Sequence, residues 1–355
     1  VKRIRVWVNA NGFLTELNLD NLVSFCAGKR TRWLHEVPSG EGRSAQLKIA
    51  TEMPPGRNAI QFWFIAGDGL SGKMELTVRL DIEDRSFHAE TKLNAQAEKH
   101  FMNATRSLAD EVGFEFNPSS ERRLIARANC GRFFAEEEWC CDIPHPVEAS
   151  RGQEASGDAF SPGWFQVPLE FGQVAELIIS VNEADDQLLG KAGRTNEADR
   201  DDGWPGFGLA LDSAMDAFVV QRGEAKSIIA GYPWFLDWGR DSLIAVRGLI
   251  AAGRLEEAQA VVGLFASHER DGTIPNAIFG DNDSNRETSD APLWLALAIG
   301  ELAAKLGDGF YAQKVSGVSR TYLSVVKSIG KNYCDGTPTG IRMDAGSCLI
   351  FSPVH

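Results

Sequence analysis

The sequence predicts a protein of two parts, an antiparallel β-sandwich followed by a helical region, and three observations support this fold class. Through much of the first half, apolar residues alternate with polar ones at the period of two that is typical of half-buried strands. After a polar, acidic stretch at 182–206 the period becomes helical. Short connections join the predicted helices, which indicates antiparallel helix pairs.

The predicted strands lie in residues 1–190, the expected β domain. The clearest runs over 74–83, where Met74, Leu76 and Val78 alternate with charged and polar residues. Turn-forming clusters such as Pro54-Pro55-Gly56 separate the strands. Many short strands without long helices between them favour a large antiparallel sandwich. The other predicted strands are 4–8, 61–65, 124–128, 165–169 and 176–181.

Residues 191–208 are predicted to form a linker, and 209–355 to hold the helices. Gly253 and Gly307 stand where helix C-caps belong. Successive helix pairs after a β domain fit an α/α toroid. Five helices supply only part of an (α/α)6 ring of twelve, so we expect a partial toroid. The predicted helices are 209–220, 241–252, 255–267, 290–306 and 310–329.

The composition limits the classes of partner. The chain has 355 residues, 43% of them hydrophobic, and a net charge of −13. A strongly acidic chain is a poor ligand for nucleic acid or an anionic membrane. The six cysteines and six histidines match no metal-ligand spacing, and no phosphate-binding glycine motif occurs, so we expect neither a metal nor a cofactor. The cysteines form no disulfide pattern, which favours a cytoplasmic location.

The segment 231–242, Gly-Tyr-Pro-Trp-Phe-Leu-Asp-Trp-Gly-Arg-Asp-Ser, has an unusual composition. Aromatic rings, two carboxylates and a guanidinium stand together just before a predicted helix. A sugar ring stacks on aromatic faces, and its hydroxyls form charge-assisted hydrogen bonds with Asp and Arg. The segment therefore predicts a carbohydrate site. The alternative is a helix N-terminus with a few packed aromatic residues.

This segment, preceded by Arg222-Gly223-Glu224, resembles the signature of prokaryotic glycogen debranching enzymes of the amylo-α-1,6-glucosidase type. Gly272-Thr-Ile-Pro-Asn276 and Thr288-Ser-Asp-Ala-Pro-Leu-Trp294 are similar to that family in the same order, and the resemblance covers roughly 120–355. It implies the family's N-terminal β domain and the first part of its catalytic (α/α)6 domain. The implied activity is inverting hydrolysis of α-1,6-linked glucose stubs. The implied substrates are glycogen, limit dextrin or malto-oligosaccharide.

The resemblance also implies roles for individual residues. Arg240 and Asp241 correspond to a pair that binds the hydroxyls of the terminal glucose, with Trp234 and Trp238 as stacking walls. Asp241 has an alternative interpretation as a plain N-cap, a position that Asp favours. Asp237 is expected to be a loop residue or to support the others.

Asp290 is the candidate general acid that the resemblance implies, and Glu287 is a second candidate. Asp290 is also a good N-cap, with Pro292 suited to the first helical turn. A helix N-terminus lowers the pKa of a carboxyl, whereas a general acid at neutral pH needs a raised one. Burial or a like charge, from Asp241 or Glu287, would have to overcome that effect.

No residue of the chain is a convincing general base, and the resemblance places that carboxylate beyond residue 355. We therefore expect residues 1–355 to be folded at least in the β domain but nearly inactive, and to self-associate through uncovered apolar surface. Two alternatives remain open at this point. One is a glucan-binding module without catalysis, and the other is a glucoamylase-like or trehalase-like glucosidase of different linkage specificity.

Overall fold

The computed structural model divides into two compact units, Val1–Trp204 and Pro205–His355. Strands dominate the first unit, and helices dominate the second. The residues described are 1–28, 30–54, 56–69, 72–85, 89–109, 112–181, 193–194, 206–231, 235–279, 282–283 and 285–353.

The N-terminal unit is built from antiparallel strands. All six of the strands predicted from the alternating pattern overlap a strand of the structure. The strands are β1 (Arg3–Ala10), β2 (Phe13–Glu16), β3 (Leu22–Cys26), β4 (Thr31–Gly40), β5 (Arg43–Glu52), β6 (Ala59–Ala66), β7 (Met74–Asp81), β8 (Thr105–Ser107), β9 (Val112–Ser119), β10 (Arg122–Ala128), β11 (Arg132–Phe134), β12 (Glu138–Pro144), β13 (Ser156–Ser161), β14 (Trp164–Leu169), β15 (Gln173–Ser180) and β16 (Gly193–Arg194).

Two sheets share the core of this unit. One has the strand order β11-β14-β7-β1-β2, and the other has β3-β4-β5-β6-β15-β10-β9-β8, with β16 beside β15. Val8 of β1 lies opposite Leu76 of β7, and both are fully buried. They belong to the same apolar cluster as Phe64 of β6 and Phe114 of β9 in the other sheet. The apolar faces of the two sheets therefore enclose one core.

Two helices in this unit were not expected from the sequence, α1 (Ala95–Ala104) and α2 (Pro146–Ser150). Asn94 starts α1, because its side chain accepts hydrogen bonds from the backbone N–H groups of Gln96 and Ala97. Phe101 is the buried residue of α1, and its ring stacks on Phe116 with 5.2 Å between centroids. A single buried residue leaves no apolar stripe in the sequence, which explains why the periodicity did not indicate this helix.

The C-terminal unit is mainly helical. The first four predicted helices are confirmed to within two residues, and no helix among the described residues is long and apolar enough to cross a membrane. The elements are α3 (Phe207–Phe218), β17 (Val219–Arg222), β18 (Ala225–Ile228), β19 (Asp237–Trp238), α4 (Gly239–Ala251), α5 (Leu255–Ser267), β20 (Ala277–Phe279), β21 (Asn282–Asp283), α6 (Ala291–Leu306), α7 (Tyr322–Asp335), β22 (Arg342–Met343) and β23 (Ile350–Phe351).

The helices of this unit pack around their own core. Helix α4 contacts both α5 and α6, and α6 also contacts α7. Leu243 of α4, Phe265 of α5, Leu295 of α6 and Ile329 of α7 are at most 1% exposed and lie in one cluster. The apolar stripes that the sequence predicts on these helices therefore face one another.

The fifth predicted helix, 310–329, is wrong over its middle part. A short 3-10 helix covers Asp308–Ala312, and a bridge between Lys314 and Thr321 follows. Gly317 has φ +78°, a backbone conformation that ends a right-handed helix. Thr321 then caps α7 through its side chain, which accepts from the Ser324 N–H at 3.3 Å. The predicted helix is thus two elements separated by a turn.

The predicted linker, 191–208, falls largely outside the described residues. Within it the structure describes β16 at 193–194 and the backbone from residue 206. Helix α3 begins at Phe207, so the last two residues of the range are helical.

The packing of α6 predicts a position-dependent cost for one substitution. Leu295 is fully buried and Leu297, on the same helix, is 43% exposed. We expect Leu295→Ala to lower the free energy of unfolding of the helical unit by about 2–5 kcal/mol, because it leaves a cavity. The matched control Leu297→Ala should change it by about 0.5 kcal/mol or less. Urea denaturation followed by circular dichroism measures both, and equal effects would contradict this core.

Candidate active site

Three segments meet at the start of α4, which begins at Gly239. The Gly239 N–H donates to the carbonyl oxygen of Asn276 at 2.8 Å. A Cβ atom on Gly239 would lie 3.0 Å from the carbonyl oxygen of Pro275 and 3.3 Å from Cδ1 of Ile274. It would also lie 3.7 Å from Cβ of Ala291, the first residue of α6. The start of α4 therefore lies directly against the 274–276 loop and the first turn of α6.

This close approach brings Arg240 to Asp290. The Arg240 Nε lies 2.7 Å from Oδ2 and 2.9 Å from Oδ1 of Asp290. Both side chains remain accessible, at 58% and 40% exposed. The Thr288 hydroxyl donates to Asp290 Oδ1 at 3.0 Å. The structure thus joins the predicted binding cation to the predicted general acid in one accessible ion pair.

The ion pair sets the protonation state of Asp290. Partial burial by itself would raise the pKa of this carboxyl, but the hydrogen bonds from Arg240 and Thr288 and the charge of Arg240 outweigh burial and hold the pKa below its ordinary value. The same pairing raises the pKa of Arg240. Asp290 is therefore an anion at neutral pH in this arrangement.

Asp290 occupies the N-cap position of α6 but does not act as a capping side chain. Its carboxylate makes no hydrogen bond to the first-turn N–H groups, and it turns to Arg240 and Thr288 instead. Asp241 is not the N-cap of α4, because Trp238 holds that position. The interpretation of Asp241 as a plain N-cap is therefore wrong.

Asp241 lies in the first turn of α4 and is exposed. It is one of the residues that line an apolar groove of about 480 Å³ between α3 and α4. Met215 and Phe218 of α3 and Ile244 of α4 also line this groove. A carboxylate in an otherwise apolar groove suits a sugar, which has an apolar face and hydroxylated edges.

The other predicted site residues, Trp238, Trp234 and Glu287, do not share one environment. Trp238 precedes α4 directly, and its side chain is 38% exposed, as a stacking surface requires. Trp234 lies outside the described residues. Glu287 is exposed and precedes the buried Thr288.

Asp237 is buried, unlike the accessible side chains described above. It is 3% exposed, and its Oδ2 lies 2.9 Å from the Nε of Arg222. Through β19 it is the residue directly before Trp238. Asp237 is therefore buried against Arg222, and the supporting role expected for it stays a prediction.

Tyr333 supports the loop that carries Asp290, and the sequence did not indicate it. Its hydroxyl donates to the carbonyl oxygen of Ser289 at 2.6 Å, and the residue is 3% exposed. Burial and the negative charge of Asp290 both raise the pKa of this phenol. Helix α7 thereby fixes the backbone next to the candidate acid.

A second buried carboxylate holds the loop before Ile274. Glu269 is 2% exposed, and its Oε1 accepts from the Gly272 N–H at 2.7 Å and from the Ser328 hydroxyl at 2.9 Å. Its Oε2 lies 2.6 Å from Nη1 of Arg320. Arg286 donates to the carbonyl oxygens of His268 at 3.0 Å and of Thr273 at 3.2 Å. Charged groups thus hold the segment directly before Ile274.

The accessible side chains around the start of α4 are those of Trp238, Arg240, Asp241 and Asp290. Within the described ranges, no three His, Cys, Asp or Glu side chains gather closely enough to hold a metal ion. The accessible side chains thus comprise two carboxylates, one guanidinium and one exposed indole.

Comparison with protein-family models assigns both units of the chain. A model described as "Glycogen debranching enzyme N terminal" matches residues 7–175, and one described as "Amylo-alpha-1,6-glucosidase" matches 213–354. The chain belongs to the glycogen debranching enzyme family. This is a family of glycoside hydrolases, and its N-terminal model matches the strand-rich unit while its glucosidase model matches the helical unit.

Two individual proteins illustrate the likeness. The glycogen debranching enzyme of Saccharomyces cerevisiae is 31% identical over 108 residues, which are 28% of this chain and 7% of the yeast protein. The crystal structure of a bacterial glucoamylase complexed with acarbose aligns with a TM-score of 0.50 over 96% of this chain and 54% of that one. At 12% identity this second likeness concerns the fold. The chain thus spans about half of the glucoamylase and a small part of the yeast enzyme.

The ion pair predicts a linked change in titration. Removing Arg240 takes away the opposite charge that favours the anion, so we expect Arg240→Ala to raise the pKa of Asp290. Arg247→Ala is the matched control, because Arg247 lies on the same helix and pairs with Glu301 of α6 at 2.7 Å. A pH titration of the Asp290 carboxyl carbon by nuclear magnetic resonance measures the shift. An unchanged pKa in Arg240→Ala would show that the pair is absent in solution.

Proposed function

We propose that this chain carries the glucose-binding face and the general acid of an inverting glycosidase that removes α-1,6-linked glucose stubs from glycogen-like glucan. The observation that supports the proposal best is the accessible Arg240–Asp290 pair beside Trp238, at the point where α4 and α6 begin. The family match supports a glucan substrate, namely glycogen, limit dextrin or malto-oligosaccharide. We infer that the helices belong to an (α/α)6 toroid, the fold that the likeness to glucoamylase supports.

The proposed binding step uses three side chains. The exposed indole of Trp238 stacks on the apolar face of the terminal glucose. Asp241 accepts hydrogen bonds from sugar hydroxyls, and Arg240 donates to them. Trp234 remains a proposed second stacking wall on the basis of its place in the signature.

The proposed acid step follows from the competition for Arg240. When a sugar hydroxyl takes hydrogen bonds from Arg240, Asp290 loses part of what stabilises its anion, and its pKa rises. A sugar packed over the site also removes water from the carboxyl, which acts in the same direction. The protonated Asp290 then donates its proton to the glycosidic oxygen as the bond to the anomeric carbon breaks.

Inversion also needs a second carboxylate about 6.5–9.5 Å from the acid, which takes a proton from the attacking water. Asp237 is buried against Arg222, and we give Asp241 to binding. The proposal therefore assigns the base to no described residue, and residues 1–355 by themselves are expected to hydrolyse little substrate. The proposed location is the cytoplasm, because the six cysteines are all free thiols, a state that a reducing compartment maintains.

The assignment of Asp290 predicts a large loss of rate on a conservative substitution. In the enzyme expressed from its complete gene, we expect Asp290→Asn to lower kcat by roughly 10²–10⁴-fold, because the amide cannot donate a proton in the same way. Asp335→Asn is the control, an exposed carboxylate at the end of α7. The measurement is release of glucose from a dextrin that carries single α-1,6-linked glucose stubs, beside linear maltotetraose.

The outcomes of that assay separate the proposal from its alternatives. Faster release from the linear substrate would reassign the linkage specificity while keeping the glycosidase. A wild-type protein that binds both glucans and releases no glucose would identify a binding module. Activity that survives in Asp290→Asn would move the acid to another residue.

The proposed role of Arg240 predicts that glucan affinity depends on the shape of its guanidinium as well as on its charge. Lys retains the positive charge but lacks the planar fork that contacts two acceptors at once. We expect Arg240→Lys to weaken the binding of malto-oligosaccharide by about tenfold. Isothermal titration calorimetry measures it, with Arg247→Lys as the matched control on α4. Equal affinities in wild type and Arg240→Lys would remove Arg240 from the binding step.

A further inference from the structure

The helical unit contains a second cavity that shares no lining residue with the candidate active site. It has a volume of about 740 Å³, within the range of about 300–1,000 Å³ that is usual for small-molecule sites. Helix α5, the β17–β18 hairpin and the segment that leads into α7 form its walls. The side chains that matter below are Arg222, Glu224, Glu256, Lys314 and Tyr322.

Tyr322 lines this cavity and is almost completely buried. It is 2% exposed, and its ring stacks on Phe310 with 4.5 Å between centroids. Its hydroxyl oxygen lies 3.1 Å from where a Cβ of Gly263 would be, so the glycine in the middle of α5 leaves room in front of it. Within the described part of the chain, no group hydrogen-bonds to this hydroxyl. The oxygen keeps some accessible surface although the ring is buried, so it opens on the cavity and is available to a ligand.

Arg222 also borders the cavity but offers it no free donor. Its Nε lies 2.9 Å from Oδ2 of Asp237, and its Nη2 is fully buried, so a ligand in the cavity reaches neither nitrogen directly. The polar contacts of a ligand therefore fall to Tyr322 and to the exposed charged side chains of the walls.

The charges of the walls select the chemical class of that ligand. Glu224, Glu256 and Lys314 are exposed, and the structure gives none of these three an ion-pair partner among the residues it describes. Two free carboxylates beside one free ammonium disfavour a polyanion, and all three charges disfavour an apolar ligand. A neutral polyol satisfies them all, because its hydroxyls donate to the carboxylates and accept from Lys314 and Tyr322.

We propose that this cavity is a second carbohydrate site, which binds a short α-glucan segment away from the candidate active site. The choice of glucan among neutral carbohydrates rests on the proposed function. The cavity has room for a short oligosaccharide and holds both donors and acceptors for its hydroxyls. Such a site adds affinity for a branched polymer, because two linked contacts on one molecule bind more tightly than either alone.

The test uses the protein from its complete gene with Asp290→Asn, so that the probe is not hydrolysed. Maltotetraose is titrated by calorimetry into this protein and into three further variants of it. We expect two binding sites in the parent, loss of one on adding Arg240→Ala, and a weakening of the other by about tenfold on adding Glu256→Ala with Lys314→Ala. Lys331→Ala, an exposed lysine of α7, is the matched control and should keep both sites.

Tyr322→Phe is the sharper variant, because it removes one oxygen atom. If the hydroxyl serves a ligand, Tyr322→Phe weakens the second site severalfold while the Tm of the free protein stays the same or rises. A lower Tm with unchanged binding would overturn the proposal, since the hydroxyl would then serve the fold.

The remaining outcomes separate this proposal from the proposed function. Loss of all binding in Arg240→Ala, with full binding in Glu256→Ala/Lys314→Ala, overturns the second site and supports the active-site assignment. The reverse pattern supports the second site and removes Arg240 from substrate binding. A single site in the parent that only Arg240→Ala abolishes means that the cavity holds water alone, which also overturns the proposal.

Discussion

The candidate active site depends on the missing side chain at Gly239. Because this residue has no Cβ, the start of α4 lies against the Pro275 carbonyl and the first residue of α6. Arg240 follows Gly239 directly, and Asp290 directly precedes α6, so their contact depends on that approach. A Cβ at 3.0 Å from a backbone oxygen would push α4 away by a few tenths of an ångström.

The strength of the Arg240–Asp290 pair suits a site that has to exchange partners. Ion pairs between accessible side chains contribute only about 0–1 kcal/mol, because solvent screens them. With exposed fractions of 58% and 40%, this pair belongs to that class. A sugar hydroxyl can therefore replace Asp290 as the partner of Arg240 at small cost. A fully buried pair in the same place would resist exchange, since removing one partner would leave an uncompensated charge.

The sequence predicted most helices and strands correctly but not the contacts between distant residues, and the same property of the hydrophobic pattern explains both outcomes. Periodicity reports which face of a segment is buried, so β7 and α5 were found from their own residues. It carries no information on partners far along the chain, such as Arg240 with Asp290, 50 residues apart, or Tyr333 with Ser289, 44 apart. Local rules offered a capping role as the alternative to the general-acid role of Asp290, and a distant arginine gives its carboxylate a different partner.

Two of the failures of the helix prediction, at α1 and at 310–329, have local causes. In α1 a single aromatic residue, Phe101, makes the contact with the core, so no stripe was visible. Between 310 and 329 the apolar residues keep a helical spacing across Gly317, and the period therefore hid the turn. In both segments the capping side chains, Asn94 and Thr321, marked the helix starts more reliably than the apolar pattern did.

The ion pairs of the helical unit have two roles: the buried pairs hold loops in position, and the accessible Arg240–Asp290 pair can exchange partners. Glu269 and Asp237 have almost no exposed side-chain surface, at 0% and 5%, and each is paired with an arginine. Such pairs hold the loops before α4 and α6 in position. Arg222 connects the two sites, because it contacts Asp237 and also borders the second cavity. An occupant that shifted the Arg222 side chain would act on Asp237, the residue next to Trp238, and through the backbone of β19 on the surface where glucose is proposed to stack.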